Sequence, residues 1–298
     1  MAKKIICFGE MLWDCFPDEE VAGGAPMNVA LNLQQLGLDV GMISRLGSDE
    51  YGDRMRAFLQ SYNFSMDLVQ TDESNPTGLV KVDNTEKEHI KYEIVEPSAW
   101  DFISLTEENQ QAVANADALI FGSLAVRNDV SWETLYHLVH QPLLTVFDIN
   151  FRAPFIDFYK IDSLLGYTDV LKINEDELAI LLDFFELKAS AENREKVLCE
   201  YLEEEYPISC ICITQGSKGA MMYQDGKFYK HEGYKVAVKD TVGAGDAFLA
   251  GFVKNYLQGK RPSEILDFAT KIGAYVASQK GGTHKYTMED IEGIGSIR

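Results

Sequence analysis

The stretch Asp240-Thr241-Val242-Gly243-Ala244-Gly245-Asp246, followed by Ala247-Phe248-Leu249-Ala250-Gly251, decides how the rest of the chain is read. Gly243 and Gly245 let successive backbone N–H groups crowd together, and the apolar run after them predicts a helix near 247–257. The glycines therefore stand at a helix N-terminus, where free donors and the helix dipole bind anionic oxygen. A carboxylate there has two readings. Asp246 is a helix-start acid well placed against the dipole, or it is a base that takes a proton from an alcohol while Gly243, Ala244 and Gly245 hold a phosphoryl group. Two common nucleotide motifs are excluded: no Gly-x-x-x-x-Gly-Lys-Ser/Thr run occurs, and Phe248 stands where a dinucleotide fingerprint needs its third glycine.

Upstream, short apolar runs alternate with helical spacing. Strands are predicted over 4–8, 40–44, 118–121, 144–148, 170–173 and 210–214. Helices are predicted over 26–36, over 49–59 with Ser48 as cap, near 106–114 and 131–139, and over 175–185 and 192–205; a last helix runs near 262–278, with Pro262 at its start. Several apolar strands separated by helices make a mostly parallel sheet covered on both faces. The alternation breaks at 77–95, where strand-like runs 77–82 and 89–95 flank the polar turn Asp83-Asn84-Thr85-Glu86, a hairpin suited to cover a site. A second hairpin is predicted at Asp225-Gly226, between 221–223 and 228–230.

With 46% apolar and 25% charged residues, the 298-residue chain has the composition of an ordinary folded protein. A formal net charge of −20 repels nucleic acid and anionic lipid, and no run of about 18 apolar residues exists to span a membrane. Met1 to Phe8 is too short an apolar run for a signal peptide, so a cytoplasmic location is the expectation. Cys7, Cys15, Cys199, Cys210 and Cys212 lack a paired spacing and read as reduced, mostly core residues. His89, His137, His140, His231 and His284 show no metal-ligand spacing.

The stretch 240–246 resembles, nearly letter for letter, the second signature of the PfkB sugar kinases, the ribokinase-like family. Gly23-Gly24-Ala25-Pro26-Met27-Asn28 resembles its first signature, Gly-Gly-x-x-x-Asn, although the same residues also read as a loop before a helix with Pro26 in its first turn. The resemblance covers essentially the whole chain. It implies a single domain over 1–298: a three-layer α/β/α sandwich with a mostly parallel central sheet and a small β lid from about 11–22 and 77–101. It implies ATP and Mg²⁺, with K⁺ as a further cation for which Asp240 is a candidate ligand.

Site residues follow from the same resemblance. Asp246 with Gly243, Ala244 and Gly245 would be catalytic. Gly23, Gly24, Asn28 and Asp14 would approach and bond the sugar hydroxyls, and Trp100 either packs on the sugar or anchors the core. Asn174-Glu175-Asp176-Glu177 is similar to Asn-x-x-Glu, which gives Asn174 a nucleotide-side place and makes Glu177 the residue that orders the water shell of Mg²⁺. Glu175 and Asp176 are read as an acidic first turn. Thr214, Gly216 and Gly219 resemble the nucleotide-side Thr-x-Gly-x-x-Gly turn, whereas Gly47-Ser48-Asp49-Glu50-Tyr51-Gly52 is similar to a turn read as structural. Asp148, Asn150 and Arg152 follow a strand end, where open α/β sheets bind ligands; the fork of Arg152 suits phosphate, and Lys172 is a weaker candidate of the same kind.

The first signature holds no lysine between Gly24 and Asn28, which favours a neutral sugar over a phosphorylated one. Residues 9–14, 121–125 and 99–101 look like bacterial fructokinases, so D-fructose, converted to fructose 6-phosphate, is the substrate expected. Ribose and 2-keto-3-deoxygluconate are the alternatives, the second disfavoured because Asp14 would repel an anion. From another class stands a sugar-binding regulator without turnover, against which the intact Gly-Ala-Gly-Asp run speaks. The exposed face of the inserted hairpin could pair two copies as a homodimer. Gly281-Gly282 departs from the Gly-Ala common in relatives near the nucleotide and monovalent-cation loop.

Overall fold

Burial alternates along the first strand: Ile5 and Cys7 belong to one layer of core, Ile6 and Phe8 to the other. Successive side chains of a strand point to opposite faces, so a strand buried on both sides requires cover above and below. The computed structural model, which describes residues 3–83 and 91–295, supplies that cover with helices on each face.

The first half of the chain runs β1 (Lys4–Phe8), β2 (Leu12–Cys15), β3 (Glu20–Gly23), α1 (Ala25–Gln35), β4 (Asp39–Gly47), α2 (Glu50–Ser61), β5 (Val69–Asp72), β6 (Gly78–Asp83) and β7 (Lys91–Ile94). It continues with α3 (Glu107–Ala114), β8 (Ala118–Gly122), α4 (Asp129–Leu138), β9 (Leu144–Asp148), α5 (Phe158–Leu165), β10 (Val170–Asn174), α6 (Glu175–Phe184) and α7 (Arg194–Glu205). The last part holds β11 (Cys210–Thr214), β12 (Ala220–Gln224), β13 (Lys227–His231), α8 (Ala244–Leu257), α9 (Pro262–Ala277) and α10 (Met288–Glu292).

A nine-stranded sheet in the order β13-β12-β11-β10-β9-β8-β1-β4-β5 forms the centre, parallel except for the antiparallel edge hairpin β12–β13. Asp225 and Gly226 turn that hairpin with φ of 51° and 70°, the left-handed pair a two-residue turn demands. Residues of α1, α8 and α9 fill one core layer, and residues of α3 to α7 the other. A second, four-stranded sheet in the order β3-β2-β6-β7 stands apart from the first; β2 and β6 pair in parallel, and the outer pairings are antiparallel.

Several expectations need correction. Asp49, not Ser48, caps α2: its backbone is extended and its carboxylate accepts from Gly52 N at 2.7 Å. The same carboxylate accepts from Thr77 N and Thr77 Oγ1, both at 2.7 Å, so the turn read as structural fastens the residue that leads into β6. Helix α8 starts at Ala244 rather than near 247, because Gly243 takes φ 72° and the helix follows it directly. Strand β5 and helices α5 and α10 add to the predicted elements. The hairpin β6–β7 is present, while its predicted turn residues 84–86 and the first residues of its second run, 89 and 90, lie outside the described residues.

Candidate active site

Strand β1 has β4 on one side and β8 on the other, so the order of the parallel strands reverses there and a crevice opens beyond their carboxyl ends. Glu10 follows β1, Asn150 follows β9, and Asp148 ends it; the N-termini of α1 and α8 border the same region. A small pocket is lined here by Pro26, Gly122, Asp148, Asn150 and Leu249.

Asn28 Nδ2 donates to Asp246 Oδ2 at 2.8 Å. The two glycine-rich segments, more than two hundred residues apart in the chain, therefore meet at their polar residues. The remaining amide oxygen, Asn28 Oδ1, is buried without a partner among the described residues and can accept. Gly24 has φ 113°, and a Cβ there would stand 2.4 Å from Glu10 O; a Cβ on Gly23 would stand 2.6 Å from Asp14 Oδ2. Glycine at both positions thus allows the loop to lie against two acidic residues.

Burial pushes the Asp246 carboxyl up to about 6; the charge of Asp148 adds to the rise, and the Asn28 hydrogen bond, Lys172 and Arg152 oppose it. Asp14 is likewise pushed up to about 6 by burial, against the pull of Arg152 and with the push of Asp246. Glu10, 3% exposed, is pushed up to about 7, again by burial first, with Asp246 adding to the rise and Arg152 and nearby N–H groups opposing it. Three carboxyl groups thus share one electrostatic neighbourhood with the exposed Arg152, whose Nη1 donates to Phe151 O at 3.0 Å.

Beyond Asp246 lies a cationic counterpart. Lys172 Nζ pairs with Asp148 Oδ1 at 2.7 Å, both side chains buried, and it stands 3.8 Å from where a Cβ of Gly245 would be. An ammonium and the amide end of α8 therefore face the same space, an arrangement that attracts anionic oxygen. Burial opposes the charge of Lys172, but Asp148, Glu177 and Asp246 together outweigh it and raise its pKa. Asp148 Oδ2 is buried and has no hydrogen-bond partner among the described residues.

Glu177 is 3% exposed and both its oxygens accept backbone N–H groups, from Phe151 at 3.1 Å and Asn174 at 2.8 Å. Asn174 returns the contact by capping α6 through Oδ1. Glu175 pairs with Arg194 at 3.0 Å and Lys218 at 3.1 Å, which ties the start of α6 to the turn 214–219. In that turn Thr214 ends β11, Gly216 has φ 55°, and Gly219, at φ 93°, lies so close to His231 O that a Cβ would fall 1.9 Å from it. Asp240 bridges two loops, accepting from Val242 N and Gly281 N at 3.0 Å each. Among the described residues no cluster of three or more His, Cys, Asp or Glu side chains is placed to hold a metal ion.

Trp100 is fully buried in one core layer, with the Arg127 guanidinium 4.0 Å from its ring centre and Arg127 Nε bonded to Asp101 Oδ1 at 2.6 Å. Of its two readings, the core anchor is the one the structure realises. Asp148 ends β9 with Asn150 and Arg152 beyond it, as the sequence reading has it. Glu10 carries no role of its own in that reading; its signal is a charged residue directly after an apolar strand of a parallel sheet.

The model of the pfkB family of carbohydrate kinases matches residues 2–288. A fructokinase of Escherichia coli is 27% identical over 94% of this chain and 95% of its own length. An ATP-dependent ribose-1-phosphate kinase of Halopiger xanaduensis is 28% identical over 93% and 87%. In three dimensions the chain is similar to the fructokinase of Xylella fastidiosa with bound ATP, with a TM-score of 0.86 over 98% of both chains at 21% identity.

Proposed function

The chain belongs to the pfkB family of carbohydrate kinases and has the ribokinase-like α/β fold, and from that premise we propose that it transfers the γ-phosphoryl group of ATP to D-fructose, giving fructose 6-phosphate and ADP. The contact between Asn28 and Asp246 carries this reading, since it joins the sugar-side loop to the candidate base.

In the reaction as we read it, Asp246 takes the proton of the 6-hydroxyl as the new O–P bond forms and the bond to the β-phosphate oxygen breaks. A carboxyl whose pKa is raised toward the working pH is a stronger base than a free one and is still ionised near neutrality. The N–H groups at Gly243, Ala244 and Gly245, with Lys172 beside Gly245, neutralise the charge on the moving phosphoryl group. Arg152, which is exposed and makes no ion pair among the described residues, receives phosphate oxygen from the open side. A divalent cation, when bound, offsets phosphate charge; with both Glu177 oxygens already taken by backbone N–H groups, Glu177 and Asn174 would meet such a cation through water. Thr214, Gly216 and Gly219 border the nucleotide.

On the sugar side Asp14 and Asn28 accept and donate to hydroxyls, with Gly23 and Gly24 allowing close approach. The sheet β3-β2-β6-β7, which carries Asp14, serves as the lid. Three carboxyl groups around this space favour a neutral sugar over an anionic one. A coupled ADP-release assay with MgATP across fructose, ribose, 2-keto-3-deoxygluconate and other sugars tests the proposal. Fructose giving the highest kcat/KM supports it; a different preferred sugar overturns the substrate, and tight sugar binding without turnover overturns the chemistry.

A further inference from the structure

Residues 281–287, between α9 and α10, hold no regular structure, yet polar contacts fasten them to α1 and α2. Gln35 does so from both ends of its amide: Nε2 donates to His284 O and Oε1 accepts from Tyr286 N, each at 3.1 Å. Tyr286 OH donates to Asn32 Oδ1 at 2.9 Å, Lys285 Nζ donates to Ser61 O at 2.8 Å, and Tyr62 OH bonds Thr283 O.

Asn32 is 1% exposed in an otherwise apolar stretch of α1, where an amide is a poor choice for helix and core alike. Its two ends explain it. Oδ1 takes the Tyr286 hydroxyl, and Nδ2 donates to Asn28 O at 2.8 Å, one turn back on the helix, on the residue whose own Nδ2 holds Asp246. At the other end of the segment, Gly282 lies backbone to backbone with Gly243: a Cβ on Gly243 would stand 2.4 Å from Gly282 Cα, and a Cβ on Gly282 would stand 3.4 Å from Asn28 Nδ2. The segment therefore abuts Asn28 and the Gly243 turn that leads into the helix bearing Asp246, and it is tied down through the helix that bears Asn28.

We infer that Asn32, Gln35 and Tyr286 are positioning residues, which strap 281–287 against α1 and so fix Gly282 under Gly243 and Asn28 beside the carboxylate of Asp246. The inference rests on the reading of Asp246 as the base. A mispositioned group costs rate more than binding when both substrates still enter the site.

Tyr286→Phe removes one hydroxyl and leaves the ring. We expect kcat to fall about tenfold with KM for ATP and for sugar within about twofold, by analogy with the cost of small displacements at a reacting centre. We also expect faster amide hydrogen exchange over residues 241–250. Replacing both polar partners, Tyr286→Phe with Asn32→Leu, should restore thermal stability, because neither is left unpaired, while kcat stays low. Unchanged kcat or unchanged exchange in Tyr286→Phe overturns the inference. So does a double variant whose kcat recovers together with its stability, which would mark the contact as packing alone. If the wild-type protein turns over no sugar, the reading of Asp246 as base falls, and the exchange measurement still decides whether the strap holds the 241–250 segment.

Discussion

Asp14 Oδ2 occupies the space next to Gly23 so closely that a side chain on Gly23 would begin 2.6 Å from it. The glycine and the carboxylate face each other across the pairing of β2 with β3, where Asp14 opposes Val21 and Leu12 opposes Gly23. Gly23→Ala should therefore displace the carboxylate rather than the backbone. Losing a hydrogen bond to a charged group costs about 1.5–3 kcal/mol, so KM for the sugar should rise about 10- to 100-fold, with KM for ATP nearly unchanged. Steady-state kinetics with each substrate varied in turn checks this.

Asp246→Asn keeps an oxygen for Asn28 Nδ2 but removes the proposed base. Turnover should fall about 10²- to 10⁴-fold, with sugar affinity largely intact. Stopped ADP release alongside calorimetric sugar binding separates the two effects, and an unchanged kcat would falsify the role of Asp246.

The raised carboxyl pKa values set the pH response. In the proposed role Asp246 acts ionised, so kcat/KM should fall as pH drops through about 6. Stability moves the other way. A carboxyl with a raised folded-state pKa contributes stability fully below its unfolded value, and that contribution is lost as pH rises through the folded value. For Glu10, raised from 4.5 to about 7, the loss spans roughly that window and amounts to at most about 3 kcal/mol. Glu10→Gln, neutral at every pH, should therefore gain stability relative to the wild type from pH 4.5 to 7. Denaturant titrations at several pH values measure the difference, which should grow with pH.

Lys172 and Asp148 form a pair buried at 8% and 7% exposure. Lys172→Met leaves the carboxylate buried and unpaired and should cost about 3–5 kcal/mol of stability. Replacing both, Lys172→Met with Asp148→Leu, should recover most of that loss without restoring activity, because the cation beside Gly245 is gone. Urea unfolding of the wild type and the two variants tests the recovery.

What the sequence disclosed and what it withheld divide along contact range. The strands of the central sheet declare themselves as apolar runs because burial on both faces leaves little room for polar residues that lack a partner. Strands β2 and β3 are four residues each, too short for alternation to register, and β2 finds its partner β6 more than sixty residues away. Strand β5 reads Val69-Gln70-Thr71-Asp72, and its polar side chains serve local bonds at the sheet edge rather than core. In the site, glycine spacing is legible because backbone conformation leaves its mark on single residues. Asn32 and Tyr286 leave none: each looks ordinary until the fold brings them together. The Trp100 indole shows the limit from the other side, since an aromatic near a lid suits a sugar face or a core equally, and only the guanidinium of Arg127 stacked on it tells them apart.

Four of the five cysteines, Cys7, Cys199, Cys210 and Cys212, are buried, and burial raises their thiol pKa values, while Cys15 is partly accessible on β2, next to Asp14. The native protein thus offers a chemist one practical thiol handle, and it is located next to Asp14 in the four-stranded sheet. A fluorophore attached there would sense events at that sheet directly, and the stoichiometry of labelling would jump from one to five only when the whole chain opens.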